Sequence, residues 1–314
     1  MKPVHFRALI CITLLVLFAA TSAWPSSIQV RQEPLERNGV ALFLQHLSTG
    51  QSATPKRQML LVHGLTFSSH EFDLDYKDYS LARWLAGRGY DVWMLDIAGY
   101  GRSDQVKDGF MPDSDYAAED INAAVDAIRA ASGQDTIDIL GWSWGTVTSG
   151  RFAAKYPEKV RTLVLYAPIV AGLGHSEVRD PFKTDAWKGA AEDFQLGKDG
   201  KIDPEITEPG VVELFDANTR KFDSRPVPNG GRRNLLVSSK ERLIPTASLK
   251  VPVFIILGDR DEYVSVKLAK EAAESVPGGA ELLVVQGGGH ALFMEKPHYV
   301  KFRQAVQEFL SKLK

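Results

Sequence analysis

The chain has 314 residues, 44% hydrophobic and 24% charged, which excludes a disordered, collagen-like or low-complexity polymer and leaves ample chain for a buried core. Its 37 Lys+Arg and 39 Asp+Glu give a formal charge of −2, so no basic excess favours a nucleic-acid partner. A single cysteine, Cys11, excludes an internal disulfide and a cysteine-based zinc site.

Residues 1–23 carry Lys2 and Arg7, then an uncharged, mostly apolar stretch from Ala8 to Ala20, then Thr21-Ser22-Ala23. A charged start, an apolar centre and a small-residue end are the layout of a secretory signal peptide. The apolar stretch falls short of the ~20 residues that a spanning helix needs. The expectation is cleavage near Ala23, which removes Cys11, and export to a bacterial periplasm or medium with no membrane span left in the mature chain. Lipidation at Cys11 is disfavoured by Ile10, where a small residue would be needed.

The body alternates strand and helix. Val40 to Leu47 reads as an early strand, and Met59-Leu60-Leu61-Val62 as a short apolar strand ending at His63-Gly64. Tyr79 to Leu85 has helical spacing, stopped by Gly87 and Gly89. Tyr90 to Leu95 is strand, followed by Asp96 and the turn Gly99-Tyr100-Gly101. Tyr116 to Ala131 puts Ile121, Ala124, Val125 and Ile128 on one helical face. Thr136 to Leu140 is strand, then Gly141-Trp142-Ser143-Trp144-Gly145, then helix to about Tyr156. Val160 to Tyr166 is strand, Val251 to Leu257 strand, Ser265 to Ser275 helix, Glu281 to Val285 strand and His298 to Leu313 a final amphipathic helix. Continuously apolar strands separated by helices predict an α/β fold, a mostly parallel sheet covered on both faces. From Pro168 to about Lys250 the rhythm breaks into a Pro-rich, charged stretch without a strong strand. Because the alternation resumes at Val251, this stretch is an insertion into one domain.

The chemistry points to one serine, one histidine and one acid. Residues 141–145 match G-x-S-x-G, a pattern that arises by chance in about 0.1 of chains this long. Here it follows an apolar strand and opens a helix, as a nucleophile elbow requires. A serine hydroxyl needs a base. With the chain order serine, acid, histidine, the choices are His175, His290 and His298. His290 follows a strand and Gly287-Gly288-Gly289, so it leaves the sheet at the serine's end. His175 lies in the insertion, and His298 reads as surface at a helix start. The acid falls in Leu257-Gly258-Asp259-Arg260-Asp261, where spacing does not choose between Asp259 and Asp261. The acidic groups Asp73, Asp75 and Asp78, and Asp199 and Asp203, lack a calcium-loop ligand series.

Taken together, Val62-His63-Gly64, Asp96 to Ser103, the elbow, Gly258-Asp259-Arg260-Asp261 and Gly289-His290 with Glu295-Lys296-Pro297 resemble the α/β-hydrolase superfamily across nearly the whole mature length. The resemblance implies Asp261 as the acid, an oxyanion hole from the amides of Leu65 and Trp144, His63 as a structural residue, and a cap formed by the insertion. The organisation it implies is a hydrolase core in residues 24–170 and 250–314 with the cap at 171–249. Thr146 stands where many relatives carry a third glycine. The nucleophile is not aspartate, which sets the chain apart from epoxide hydrolases and haloalkane dehalogenases.

The expected function is an exported serine hydrolase, without cofactor or metal, cleaving a small carboxylic ester with an apolar acyl or alcohol part. Trp142, Trp187, Phe182 and Phe215 are candidate pocket residues, with Phe194 and Phe222 as further cap aromatics. The alternatives are a lactonase, an aminopeptidase of the proline-iminopeptidase type, suggested by Ser143-Trp144-Gly145 but lacking that group's Gly-Gly-Pro-Gly loop, and a non-catalytic binding protein on the same scaffold.

Overall fold

The computed structural model describes residues 28–50 and 56–313. The signal-peptide segment, with Cys11, lies outside the described residues. An eight-stranded sheet has the order β1 (Gln29–Arg37), β2 (Val40–Ser48), β4 (Asp91–Asp96), β3 (Gln58–Val62), β5 (Ile137–Trp142), β6 (Val160–Tyr166), β9 (Val253–Gly258) and β10 (Glu281–Val285). The neighbours from β4 to β10 pair in parallel, whereas β2 runs antiparallel to both β1 and β4. The predicted α/β sheet is therefore present, mostly parallel.

Burial explains both the elements that could be read and one that could not. Strands β3, β5 and β9 are buried at every position, so they read as unbroken apolar runs. Along β3, Leu60 and Val62 pack on one face and Met59 and Leu61 on the other. Helices α2 (Ser114–Ser132), α3 (Trp144–Lys155) and α6 (Val266–Ser275) cover the first face, and α1 (Leu81–Ala86) and α7 (Tyr299–Lys312) the second. The unpredicted strand β1 is an edge strand, mostly exposed and interrupted by Pro34. It has no apolar alternation to read, and only an edge tolerates its proline. Helix α1 starts two residues later than its spacing suggested, because the Ser80 hydroxyl caps it by accepting from the Arg83 amide at 3.0 Å.

Residues 171–249 leave the sheet between β6 and β9. They hold α4 (Pro209–Phe222), α5 (Gly230–Leu235) and, in keeping with a stretch without a strong strand, only a minimal ribbon of β7 (Phe182–Lys183) and β8 (Val227–Pro228). Two-residue strands are too short to leave a pattern in the sequence. No helix among the described residues is long and apolar enough to cross a membrane.

The chain runs from β3 to β4 on one side and then returns to place β5 on the other. Such a reversal opens a crevice at the carboxyl ends of the strands. The loop after β3 and the turn after β5 both meet there.

Candidate active site

Ser143 sits between β5 and α3 with φ 55° and ψ −120°. A serine held in that region is strained by about 1–3 kcal/mol, and the surrounding packing dictates it. A Cβ on Gly141 would lie 2.2 Å from the Gly145 carbonyl oxygen, and one on Gly145 would lie 2.4 Å from that of Val62. Only glycine lets the strand, the turn and the helix approach this closely. The Ser143 amide donates to the Tyr166 carbonyl at 3.0 Å, which ties the turn to β6. Thr146 takes the place of a third glycine without conflict. Its hydroxyl donates to the Ser143 carbonyl at 2.5 Å and accepts from the Ile169 amide at 3.2 Å.

His290 is buried on the loop after β10. Its Nδ1 lies 2.7 Å from Asp261 Oδ2. Its carbonyl accepts from the Trp142 indole at 3.1 Å and the Tyr166 hydroxyl at 2.6 Å. The loop is further fixed by Glu295, which is buried and accepts from the Gly289 amide at 3.0 Å and from Gln195 Nε2 at 2.8 Å. Burial alone would pull the His290 pKa down, but the charge and hydrogen bond of Asp261, with Asp193 and Glu295 beyond, carry it above the ordinary histidine value.

The structure separates the two aspartates that spacing left open. The Asp261 side chain is fully buried against His290, and its other oxygen accepts from the Tyr263 amide at 2.9 Å. Asp259 is exposed, and it accepts from the Gly287 amide at 2.7 Å, bracing the loop that carries His290. Of the other histidines, His175 is exposed and His298 is partly buried beside Glu295 rather than solvated, because its ring folds back toward Gly287. His63 is fully buried, with Nδ1 2.7 Å from the Gly64 carbonyl and Nε2 accepting from the Ile97 amide at 3.1 Å.

Ser143 and His290 line one cavity of about 240 Å³, together with Leu65, Phe67 and Tyr263. The amides of Leu65 and Trp144 have no acceptor among the described hydrogen bonds. The Trp144 ring is buried, donating to the Ser114 hydroxyl at 2.9 Å. A serine and a carboxylate-held imidazole at one cavity, with an unpaired amide at Leu65 on its wall and another at Trp144 next in the chain to Ser143, are the components of acyl transfer.

The four predicted pocket aromatics are not among the residues lining this cavity. Trp142 is buried beneath it, stacked on Tyr166. Phe215 is fully buried between Phe67 and Phe194 and holds the inserted segment to the core. Trp187 stacks under the Arg220 guanidinium at 4.1 Å, and Phe182 is half-buried near Gly109. Phe222 packs beside His70 and Arg102. Phe194 lines an adjoining cavity that shares Asp193, Tyr263 and His290. The acidic residues Asp73 and Asp78 are held by Arg83 and Arg303.

Sequence reasoning missed Tyr263, whose ring meets His290 edge-on at 4.8 Å, and four charged residues of the cavity, Lys183, Glu192, Asp193 and Arg232. Tyr263 lies two residues beyond Asp261, and that proximity is the one available signal. The four charges lie in a stretch whose charge density reads as solvent-facing.

Residues 53–297 match the family described as Serine aminopeptidase, S33, and the chain belongs to it, within the α/β-hydrolase superfamily. The chain is 26% identical over 280 residues to the pimeloyl-(acyl-carrier protein) methyl ester esterase of Neisseria meningitidis, across 81% of this chain and 77% of that protein. It is 36% identical over 109 residues to the poly(3-hydroxyalkanoate) polymerase subunit PhaC of Haloferax mediterranei, a match that spans 35% of this chain and about a fifth of that protein, 21%. The crystal structure of carboxylesterase CesB (YbfK) from Bacillus subtilis shares the fold with a TM-score of 0.61 at 24% identity, over 92% of this chain and 93% of that one. The protein is a serine hydrolase of this superfamily with esterases among its distant relatives.

Proposed function

We propose that this hydrolase cleaves a carboxylic ester through an acyl-enzyme. Ser143 attacks the carbonyl, His290 takes its proton and returns it to the leaving alcohol, and Asp261 holds the imidazole in the tautomer that does so. The Leu65 and Trp144 amides receive the oxyanion. Water then repeats the sequence to release the acid. The observation that carries this reading is the buried 2.7 Å pair of His290 and Asp261 beside a strained Ser143 at the same cavity. An ester is favoured over an amide because its alkoxide leaves more readily, and a methyl ester esterase and a carboxylesterase are among the similar proteins. Residues 171–249 serve as the cap that forms the upper wall of the cavity, through Lys183, Asp193 and Arg232. A panel of p-nitrophenyl esters, lactones and aminoacyl anilides tests the reading, with turnover expected on the esters. The family's description favours a second reading, an aminopeptidase, and turnover confined to the anilides would establish it in place of the first.

Activity should rise with pH as His290 loses its proton. Because Asp261 raises that pKa, the midpoint of kcat/KM against pH is expected above the ordinary histidine value of ~6.5. In Asp261→Asn the residual activity should show a midpoint shifted to lower pH, since burial then acts without its largest opposing charge, leaving only Asp193 and Glu295 against it. An unchanged midpoint would detach Asp261 from His290 in solution.

Export belongs to the same proposal, on the layout of residues 1–23. Protein recovered from periplasm or medium should have the intact mass of a chain beginning near Trp24. A species retaining Met1 would count against cleavage.

A further inference from the structure

The cavity beside Ser143 holds two cationic side chains that the acyl-transfer chemistry does not use. Lys183 comes from β7, and Arg232 from α5, which begins two residues after β8. The pairing of Lys183 with Val227 brings the two segments together. Arg232 is held by neutral acceptors, with one terminal nitrogen donating to Asn229 Oδ1 at 2.8 Å and the other to Thr66 Oγ1 at 2.9 Å. Thr66 follows Leu65, so the guanidinium is anchored next to the proposed oxyanion loop. Gly231 packs so tightly on the same place that a Cβ there would lie 2.6 Å from the Trp144 ring and 3.0 Å from Leu65. The cation is thereby fixed relative to Ser143 by both sides of the cavity.

Neither Lys183 nor Arg232 makes an ion pair within 4.0 Å among the described residues. Each is partly buried, and each is pushed to a lower pKa, first by burial and then, for Lys183, by the charge of Arg232. Two like charges in a half-dry cleft oppose folding unless something neutralises them. The cavity also contains Glu192 and Asp193. Glu192 is exposed, and its charge offsets only part of the lowering of Lys183 and Arg232. Burial pushes Asp193 up to about 6, so its charge is weakened in the acidic part of the working range, whereas a guanidinium stays charged throughout.

We infer that Lys183 and Arg232 form a subsite for a carboxylate, and that the natural ester carries such a group away from its scissile carbonyl. This deepens the ester reading of the same cavity and rests on it. A guanidinium with its plane already fixed presents its remaining N–H groups at little entropic cost, and charge-assisted bonds to a carboxylate are among the stronger polar contacts.

Three methyl esters of matched length test the inference: monomethyl adipate, methyl hexanoate and methyl 6-aminohexanoate. The adipate half-ester is expected to exceed methyl hexanoate in kcat/KM by about 10-fold or more, from contacts of this type. Lys183→Gln and Arg232→Gln should each bring the ratio of kcat/KM between the adipate half-ester and methyl hexanoate toward one, chiefly through the KM of the half-ester. Equal rates, or preference for the amine, would overturn the inference and leave the ester reading standing. A readout without turnover separates the two. Adipate, but not adipamide, should raise the melting temperature of the wild-type chain, and Lys183→Gln, a change on a two-residue strand, should abolish the rise. That rise in a protein that hydrolyses none of the esters would sustain the subsite while discarding the reaction. Its absence, or an equal rise with adipamide, would discard the subsite.

Discussion

Ser143→Ala is expected to lower kcat by about 10⁶-fold, the scale on which removal of a serine nucleophile acts when base and oxyanion donors depend on it. The loss should come without loss of the fold. Alanine meets the same left-handed backbone strain as serine, and the contacts that impose it run through Gly141, Gly145 and the Ser143 amide rather than through the hydroxyl. The melting temperature should therefore stay within a few degrees of the wild type while ester turnover falls to background. Turnover within about 10-fold of wild type would place the nucleophile elsewhere.

Asp261→Asn should cost up to about 10⁴ in kcat, and Asp259→Asn less than about 10-fold. The two side chains are two positions apart and do different work. Asp261 accepts from His290 Nδ1 at 2.7 Å and from the Tyr263 amide at 2.9 Å. An asparagine keeps one acceptor oxygen, which the Tyr263 amide engages, and turns its NH₂ toward the imidazole. His290 then keeps its proton on Nε2 and cannot take one from Ser143. Asp259 accepts a single bond, from the Gly287 amide, and asparagine retains an oxygen for it. Circular dichroism of both variants checks that they fold. If Asp259→Asn proves the more damaging, the assignment of the acid is reversed.

The parts of the site that could be read from the sequence are those whose backbone leaves a local trace. The turn at Ser143 forces glycines at positions two before and two after, because neighbouring carbonyl oxygens occupy the space of a Cβ. His290 and Asp261 each follow an apolar strand, so strand ends alone bring them to the same edge. Between Asp259 and Asp261 spacing gave no decision, because both leave the same turn, and burial against the imidazole separates them only in three dimensions.

The cavity wall left no such trace. Phe215 and Trp187 are large aromatics in the inserted segment and were natural choices for contact with an apolar substrate. Phe215 instead lies fully buried against Phe67, and Trp187 under Arg220. The inserted segment has to be fastened to the rest of the molecule, and Phe194 and Phe215 are used there, inside the same buried cluster as Phe67 and Phe72. The charged residues that reach the cavity, Lys183, Glu192, Asp193 and Arg232, and the apolar Leu173, Leu235 and Leu236 beside them, are scattered along a stretch without periodicity. Only the pairing of β7 with β8 brings Lys183 and Arg232 together. Strand β1 escaped for the opposite reason, since an exposed edge strand needs no apolar pattern.

The central claim, that Ser143 acts as a nucleophile energised by His290, is tested most directly by brief reaction with a small fluorophosphonate followed by peptide mass mapping. A single adduct on the peptide containing Ser143 is predicted, absent in Ser143→Ala and formed at least about 10³-fold more slowly in His290→Ala. An adduct on another residue, or labelling of Ser143 that proceeds at the wild-type rate without His290, would contradict it.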